Sequence, residues 1–267
     1  MYSRLRKKTS RLFSEFFYGA SKVKIIAVYS IKGGVGKTAS SVNLAYLSAQ
    51  SGFKTLLCDL DPQGSASFYF RTRPSKKFDS VKLVDNKKID KFIKESDYEN
   101  LDILPSDFSY RNLDILLDDV KKSRKRLKSV LKGLKGKYDV IFLDCPPNIT
   151  LLSENIFNAS DIVLEPCIPT TLSLLTHDKL IGFLKDIFVS PAIVTSFFSM
   201  VELRKKIHKE TIEEIRNGKK KFLENYIPYN SDVEKMGVHR KPVFTFAARG
   251  KAAKAYNALW KEIKENI

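Results

Sequence analysis

The segment Lys32-Gly33-Gly34-Val35-Gly36-Lys37-Thr38 constrains this chain more than any other stretch. It follows Lys24-Ile25-Ile26-Ala27-Val28-Tyr29, a near-continuous apolar run of the kind that forms a strand buried on both faces. It precedes Val42, Leu44, Ala45, Leu47 and Ala49, a helical stripe that ends at Gly52. Glycines set between a buried strand and a helix give a backbone without Cβ atoms, which can wrap an anion and aim several N–H groups at it. The helix N-terminus then adds its own field to theirs. The next apolar run, Thr55-Leu56-Leu57-Cys58, completes a strand, loop, helix, strand unit.

The residues after the glycines specify the anion. Lys37 would reach the β- and γ-phosphates of ATP and the Thr38 hydroxyl would ligate Mg²⁺, with Gly33, Gly34, Val35, Gly36 and Ala39 completing the cradle. The strict pattern G-x-x-x-x-G-K-[ST] asks for glycine at position 31, where this chain has Ile31. The match is to a variant, K-G-G-x-G-K-[ST], whose opening lysine is Lys32.

Two acidic segments follow at suitable strand ends, Cys58-Asp59-Leu60-Asp61-Pro62-Gln63-Gly64 and Leu143-Asp144-Cys145-Pro146-Pro147. Ligands of an open parallel sheet bind at the carboxyl ends of its strands, so Asp59, Asp61 and Asp144 can converge on one Mg²⁺–triphosphate. Asp144, after four apolar residues, is expected to hold the hydrated metal. Asp61 is the better candidate to orient the attacking water and Asp59 to support the metal shell, and the pattern also permits the reverse.

The same alternation continues along the chain. Strands are expected at 101–104, 140–143, 162–164 and 192–196, with helical matter to about Leu134 and helices over 151–158, 172–188 and 201–216. This pattern specifies an α/β fold, P-loop NTPase-like, with a mostly parallel central sheet and helices on both faces, over residues 23–267. Residues 71–100 are polar and weakly periodic, and read as an insertion or mobile connection rather than core. The run from Lys121 to Lys128 leads into Leu127, Val130, Leu131 and Leu134, which predicts a helix with a basic outer face.

Composition narrows the partners. The formal net charge of +17 favours an anionic partner, nucleic acid or an anionic membrane surface. Residues 1–22 form a basic, partly amphipathic arm, with Arg4, Arg6, Lys7, Lys8, Arg11 and Lys22 against the single acid Glu15. No apolar run approaches the roughly 18 to 20 residues that span a bilayer, so a cytoplasmic location is expected. Cys58, Cys145 and Cys167 are odd in number and far apart, and His177, His208 and His239 are isolated, so neither a disulfide framework nor a zinc site is indicated.

The lysine-opened loop, the segment D-L-D-P-Q-G and the segment Y-D-V-I-F-L-D-C-P-P together resemble the deviant Walker A ATPases, most closely the ParA/Soj branch that partitions plasmids and chromosomes. Arg240-Lys241-Pro242-Val243-Phe244 and Gly250-Lys251-Ala252-Ala253-Lys254-Ala255-Tyr256 are similar to the ending of that family. The resemblance covers roughly residues 23 to 265. It implies a homodimer that sandwiches two ATP molecules, with Lys32 reaching the partner's phosphates as an arginine finger does. It also implies slow hydrolysis stimulated by a ParB-like partner, and a nucleoid-associated, non-specific DNA interaction of the ATP dimer.

Candidates for the DNA surface are Arg204, Lys205, Lys206, Lys219, Lys220, Lys221, Arg240, Lys241, Arg249 and Lys251. Where many relatives carry an I-P-R-N-x-R type stretch, this chain reads Ile227-Pro228-Tyr229-Asn230-Ser231-Asp232, so the usual contacts cannot all be carried over. Pro228 and Asn230 are expected to border the adenine, as the corresponding loop does in that family. A membrane-cycling ATPase resembling MinD is the second reading, with the N-terminal arm the better lipid contact, because the stretch 255–264 is short and more simply packs on the domain. Iron–sulfur relatives of the loop are disfavoured, because the three cysteines do not resemble a cluster-holding arrangement.

Overall fold

The alternation of apolar residues sorts side chains to the two sides of a single sheet. In β1 (Lys24–Val28), Ile25 and Ala27 face one core while Ile26 and Val28 face the other. The same division holds in β2 (Thr55–Asp59), where Leu56 and Cys58 oppose Leu57, and in β5 (Val140–Asp144), where Ile141 and Leu143 oppose Phe142. Strands buried on both faces need no polar side, which is why they read as continuous apolar runs.

The structure, a computed structural model, describes residues 23–85, 89–120, 123–190, 193–218 and 220–266. The basic arm at 1–22 lies outside the described residues, as do Lys121, Lys122 and Lys219. Among the described residues the sheet has seven strands in the order β3-β4-β2-β5-β1-β6-β7. The further strands are β3 (Lys94–Glu95), β4 (Leu101–Leu104), β6 (Ile162–Cys167) and β7 (Val194–Phe198). Every pairing is parallel except β3 with β4. The mostly parallel α/β fold expected from the sequence is therefore present.

Helix α1 (Lys37–Gln50) covers one face of the sheet together with α9 (Ser231–His239) and α10 (Lys251–Asn266). The other face carries α3 (Ser80–Asp85), α4 (Leu113–Asp118), α5 (Arg126–Lys132), α6 (Leu151–Ala159) and α7 (Thr171–Asp186). The one-turn helix α2 (Ser65–Tyr69) follows β2, and α8 (Lys206–Asn217) packs on a smaller cluster with Phe198 and Val201. In α10, Ala252, Ala253, Tyr256, Leu259, Trp260 and Ile263 are all buried against the domain, so its apolar face is already used.

Two readings of the sequence need correction. Residues 71–100 are not merely a connection, because Phe78, Leu83, Val84 and Ile89 are buried in the core. Leu83 and Val84 lie on α3, Phe78 in the connection before it and Ile89 in a separate 3-10 turn, so no single period registers, and Phe78 stacks on Phe92 at 4.5 Å to hold them together. The helix expected over 201–216 begins only at Lys206, since Val201 extends the backbone beyond β7 to pair with Pro228. Its N–H donates to the Ile227 carbonyl at 3.0 Å and its carbonyl accepts from Tyr229 N at 3.0 Å.

Candidate nucleotide and magnesium site

Strand register alone brings the candidate groups together. Val28, at the end of β1, lies opposite Asp144 of β5, and Asp144 lies opposite Asp59 of β2. The glycine loop leaving β1 therefore opens beside both strand-end acids, at the point where strand order reverses around β1. Gly34 and Gly36 have φ of 71° and 90°, the left-handed region that glycine adopts without strain. A side chain at Gly36 would also meet Ser199 Oγ at 3.0 Å.

Lys37 is buried at the start of α1, and its Nζ donates to the carbonyl of Lys32 at 3.2 Å, so the loop curls around its own lysine. Burial lowers the Lys37 pKa, against the opposing pull of Asp144, Cys145 and Asp61. Lys32 extends its ammonium to Ser173 Oγ at 3.4 Å. The Thr38 side chain stands close enough to Asp144 to favour its ionised form, and Asp144 Oδ1 accepts from Ser41 Oγ at 2.8 Å. Asp144 Oδ2 is buried with no hydrogen-bond partner.

Asp59 is committed to the backbone around it. Its Oδ2 accepts from Ser67 N at 2.7 Å and Ser67 Oγ at 2.6 Å, and its Oδ1 from Asp61 N at 3.3 Å. Asp61 is half-buried, its Oδ1 accepting from Gln63 N at 2.9 Å and its carbonyl from Ser106 Oγ at 2.5 Å. Burial raises both carboxyls above the usual carboxylate range, with repulsion from Asp59 adding to the rise of Asp144 and repulsion from Asp61 adding to that of Asp59.

A divalent cation fits this arrangement. One fully buried carboxylate oxygen lacks a partner, a hydroxyl stands beside it, and a second carboxylate crowds it, so positive charge is what the cluster lacks. Mg²⁺ would be held by Thr38 and Asp144, with Asp59 behind them. Ser41, Ser67 and Ser106 complete the site and were not singled out from the sequence. Ser41 lies one turn after Lys37 on α1, a signal available in principle, whereas Ser67 and Ser106 are joined only by the fold, with Ser106 N donating to Ser67 Oγ at 2.9 Å.

Pro228 and Asn230 lie on the loop paired with Val201, two residues beyond Ser199, which touches the Gly36 position. Asn230 Oδ1 accepts from Asp232 N at 2.8 Å and caps α9.

Comparison with known proteins places this geometry. Residues 23–193 match the AAA domain family. The sporulation initiation inhibitor protein Soj of Bacillus subtilis (strain 168) is 32% identical over 254 residues, covering 91% of this chain and 99% of that protein. The chain belongs to the ParA/Soj family of P-loop ATPases. The chromosome partitioning protein ParA of Myxococcus xanthus (strain DK1622) is 30% identical over 251 residues, covering 90% of this chain and 87% of that protein. A plasmid partition protein from Borrelia burgdorferi B31, solved bound to AMPPNP, superposes with a TM-score of 0.81 at 27% identity, over 92% of this chain and 100% of that one.

In this ParA/Soj-type ATPase the basic candidates divide by what they touch. Arg204 and Lys205 both pair with Glu202, Lys206 pairs with Glu210 at 3.5 Å, and Lys220 pairs with Asp178 at 2.6 Å. Arg240 folds back on α2. Lys221, Arg249 and Lys251 are exposed, and with half-buried Lys241 they join no ion pair among the described residues. Among the described residues no helix is long and apolar enough to cross a membrane.

Proposed function

We propose that this chain is an ATP-driven partition switch, in which Mg²⁺–ATP closes a sandwich dimer that binds DNA without sequence preference and hydrolysis reopens it. The observation that supports it best is the partnerless oxygen of Asp144, buried beside Lys37 and Thr38 at the mouth of the glycine loop. Thr38 and Asp144 would hold Mg²⁺, which would supply positive charge against the negative charge that develops during γ-phosphoryl transfer.

This chain's residues do the rest. Gly33 to Ala39 present their backbone N–H groups to the phosphates, and Lys37 adds a desolvated positive charge. Asp59 anchors Asp61 through its backbone N–H, and Asp61 orients the attacking water. Lys32 leaves Ser173 to reach the partner's phosphates, and Pro228 and Asn230 border the base. A ParB-like protein accelerates turnover and so returns the dimer to monomers.

DNA contact falls to the cations that join no ion pair among the described residues, Lys221, Lys241, Arg249 and Lys251, with the ion-paired group at Arg204 to Lys206 and Lys220 supplying field rather than contact. Arg249 and Lys251 flank the start of α10, whose first turn has no acid. Cations at a helix N-terminus oppose the helix dipole, an arrangement that a phosphate relieves. Pairing two subunits doubles this surface, so dimerisation sets DNA affinity.

Asp61→Ala and Lys37→Ala test the assignment in opposite directions. Asp61→Ala is expected to bind ATP, accumulate dimer and lose hydrolysis by roughly 10²- to 10⁴-fold, while Lys37→Ala fails to bind. Size-exclusion chromatography with ATP, beside phosphate release, reads both. Normal turnover by Asp61→Ala without dimer accumulation overturns the proposed role.

A further inference from the structure

Two short backbone anomalies meet at one point of the fold. Arg71, just after α2, and Arg240, at the end of α9, have φ of 55° and 50°. Both occupy the left-handed position that ends a helix, where glycine is the unstrained choice, yet both are arginine. Their side chains explain the choice, because each caps the other's helix. Arg240 Nε donates to the Phe68 carbonyl of α2 at 3.1 Å, and Arg71 Nη2 donates to the His239 carbonyl of α9 at 3.0 Å.

These carbonyls belong to helix C-termini, which carry partial negative charge; the Phe68 carbonyl also accepts from Arg71 N at 3.2 Å, and a guanidinium is a fitting partner for each. Two further contacts fix the exchange. The Arg240 guanidinium lies over the Phe68 ring, 4.4 Å from its centroid, and Arg71 pairs with Asp97 at 3.2 Å.

The two helices joined in this way stand at opposite ends of the machinery. α2 is a single turn, too short to hold its own place, and is fixed at its ends. At its inner end Ser67 donates to Asp59 and accepts from Ser106 N, and Ser106 Oγ holds the Asp61 carbonyl. Its outer end is held by Arg240. α9 runs from Asn230, on the loop proposed to border the base, to the segment before Lys241. It also touches the P-loop helix, where Asn43 Nδ2 meets Met236 Sδ at 3.2 Å and Asn43 Oδ1 accepts from Val243 N at 2.9 Å.

We propose that Arg71 and Arg240 form a reciprocal latch between α2 and α9, which holds the Asp61 segment in its hydrolytic position and ties it to the C-terminal basic surface. Arg240 is then a positioning residue for ATP hydrolysis rather than a phosphate contact for DNA. The inference rests on the assignment of Asp61 and the basic surface given above, and refines it.

Arg71→Gly and Arg240→Gly are the decisive variants, because glycine suits both backbone positions and removes the side-chain exchange together with its Asp97 and Phe68 contacts. Full-length protein would be assayed for nucleotide affinity, for kcat and KM of ATP hydrolysis, and for the slope of log DNA affinity against log salt. The latch predicts that each variant keeps nucleotide affinity and KM within about twofold, loses at least about fivefold in kcat, and leaves the Arg240→Gly salt slope at the wild-type value. A phosphate contact would instead reduce that slope by about one. A reduced slope, or an unchanged kcat, overturns the proposal. If wild-type protein hydrolyses ATP but does not bind DNA, the DNA reading fails on its own and the kcat comparison alone judges the latch.

Discussion

Asp144 shows how much chemistry one carboxylate can carry. It is wholly buried, accepts from Ser41, and keeps one oxygen without a partner. Burial raises its pKa and neighbouring Asp59 raises it further. A carboxyl whose folded pKa, here about 8, exceeds its unfolded value of about 4 binds more protons folded than unfolded, so the contribution of Asp144 to metal-free stability is full below about 4 and is lost as pH rises through about 8. Denaturant titrations without Mg²⁺ should show this fall, and Asp144→Asn should flatten it. An equal pH dependence in that variant would place the strain elsewhere. Lys37, Thr38 and Asp144 were legible in the sequence because glycines and strand ends frame them. Ser41, Ser67 and Ser106 were not, since a serine carries no spacing signal and its partner is chosen by the fold.

At the scale of elements, legibility followed periodicity. β1, β2 and β5 are buried on both faces and announce themselves as apolar runs, and their register then fixes where Asp59 and Asp144 meet. The stretch 71–100 has no such period, because its buried residues are split between α3, a 3-10 turn and the connection that carries Phe78. The C-terminal helix α10 had two sequence readings, a lipid-facing helix and a packing one, and its burial selects the second. Trp260 is 3% exposed and its Nε1 donates to Ser51 Oγ at 3.0 Å, joining α10 to the end of α1. Trp260→Ala should therefore cost about 3–5 kcal/mol in unfolding free energy, measured by chemical denaturation. A loss below about 1 kcal/mol would mean that α10 is not integral to the domain.

For the whole molecule, the net charge of +17 announced an anionic partner without locating it. Charge runs in a sequence do not reveal which cations are already paired: Glu202 engages Arg204 and Lys205 in the turn before α8, and Glu210 engages Lys206 within it. A single chain displays no partner subunit, so the proposed dimer rests on Lys32 and the family resemblance rather than on packing. The most direct measurement is DNA affinity with and without Mg²⁺–ATP over a salt series, for the wild type beside Lys37→Ala. An ATP-dependent switch requires tight binding only with nucleotide, a steep fall in affinity with salt, and no nucleotide response in Lys37→Ala. DNA binding that ignores ATP, or that Lys37→Ala retains in full, would contradict it.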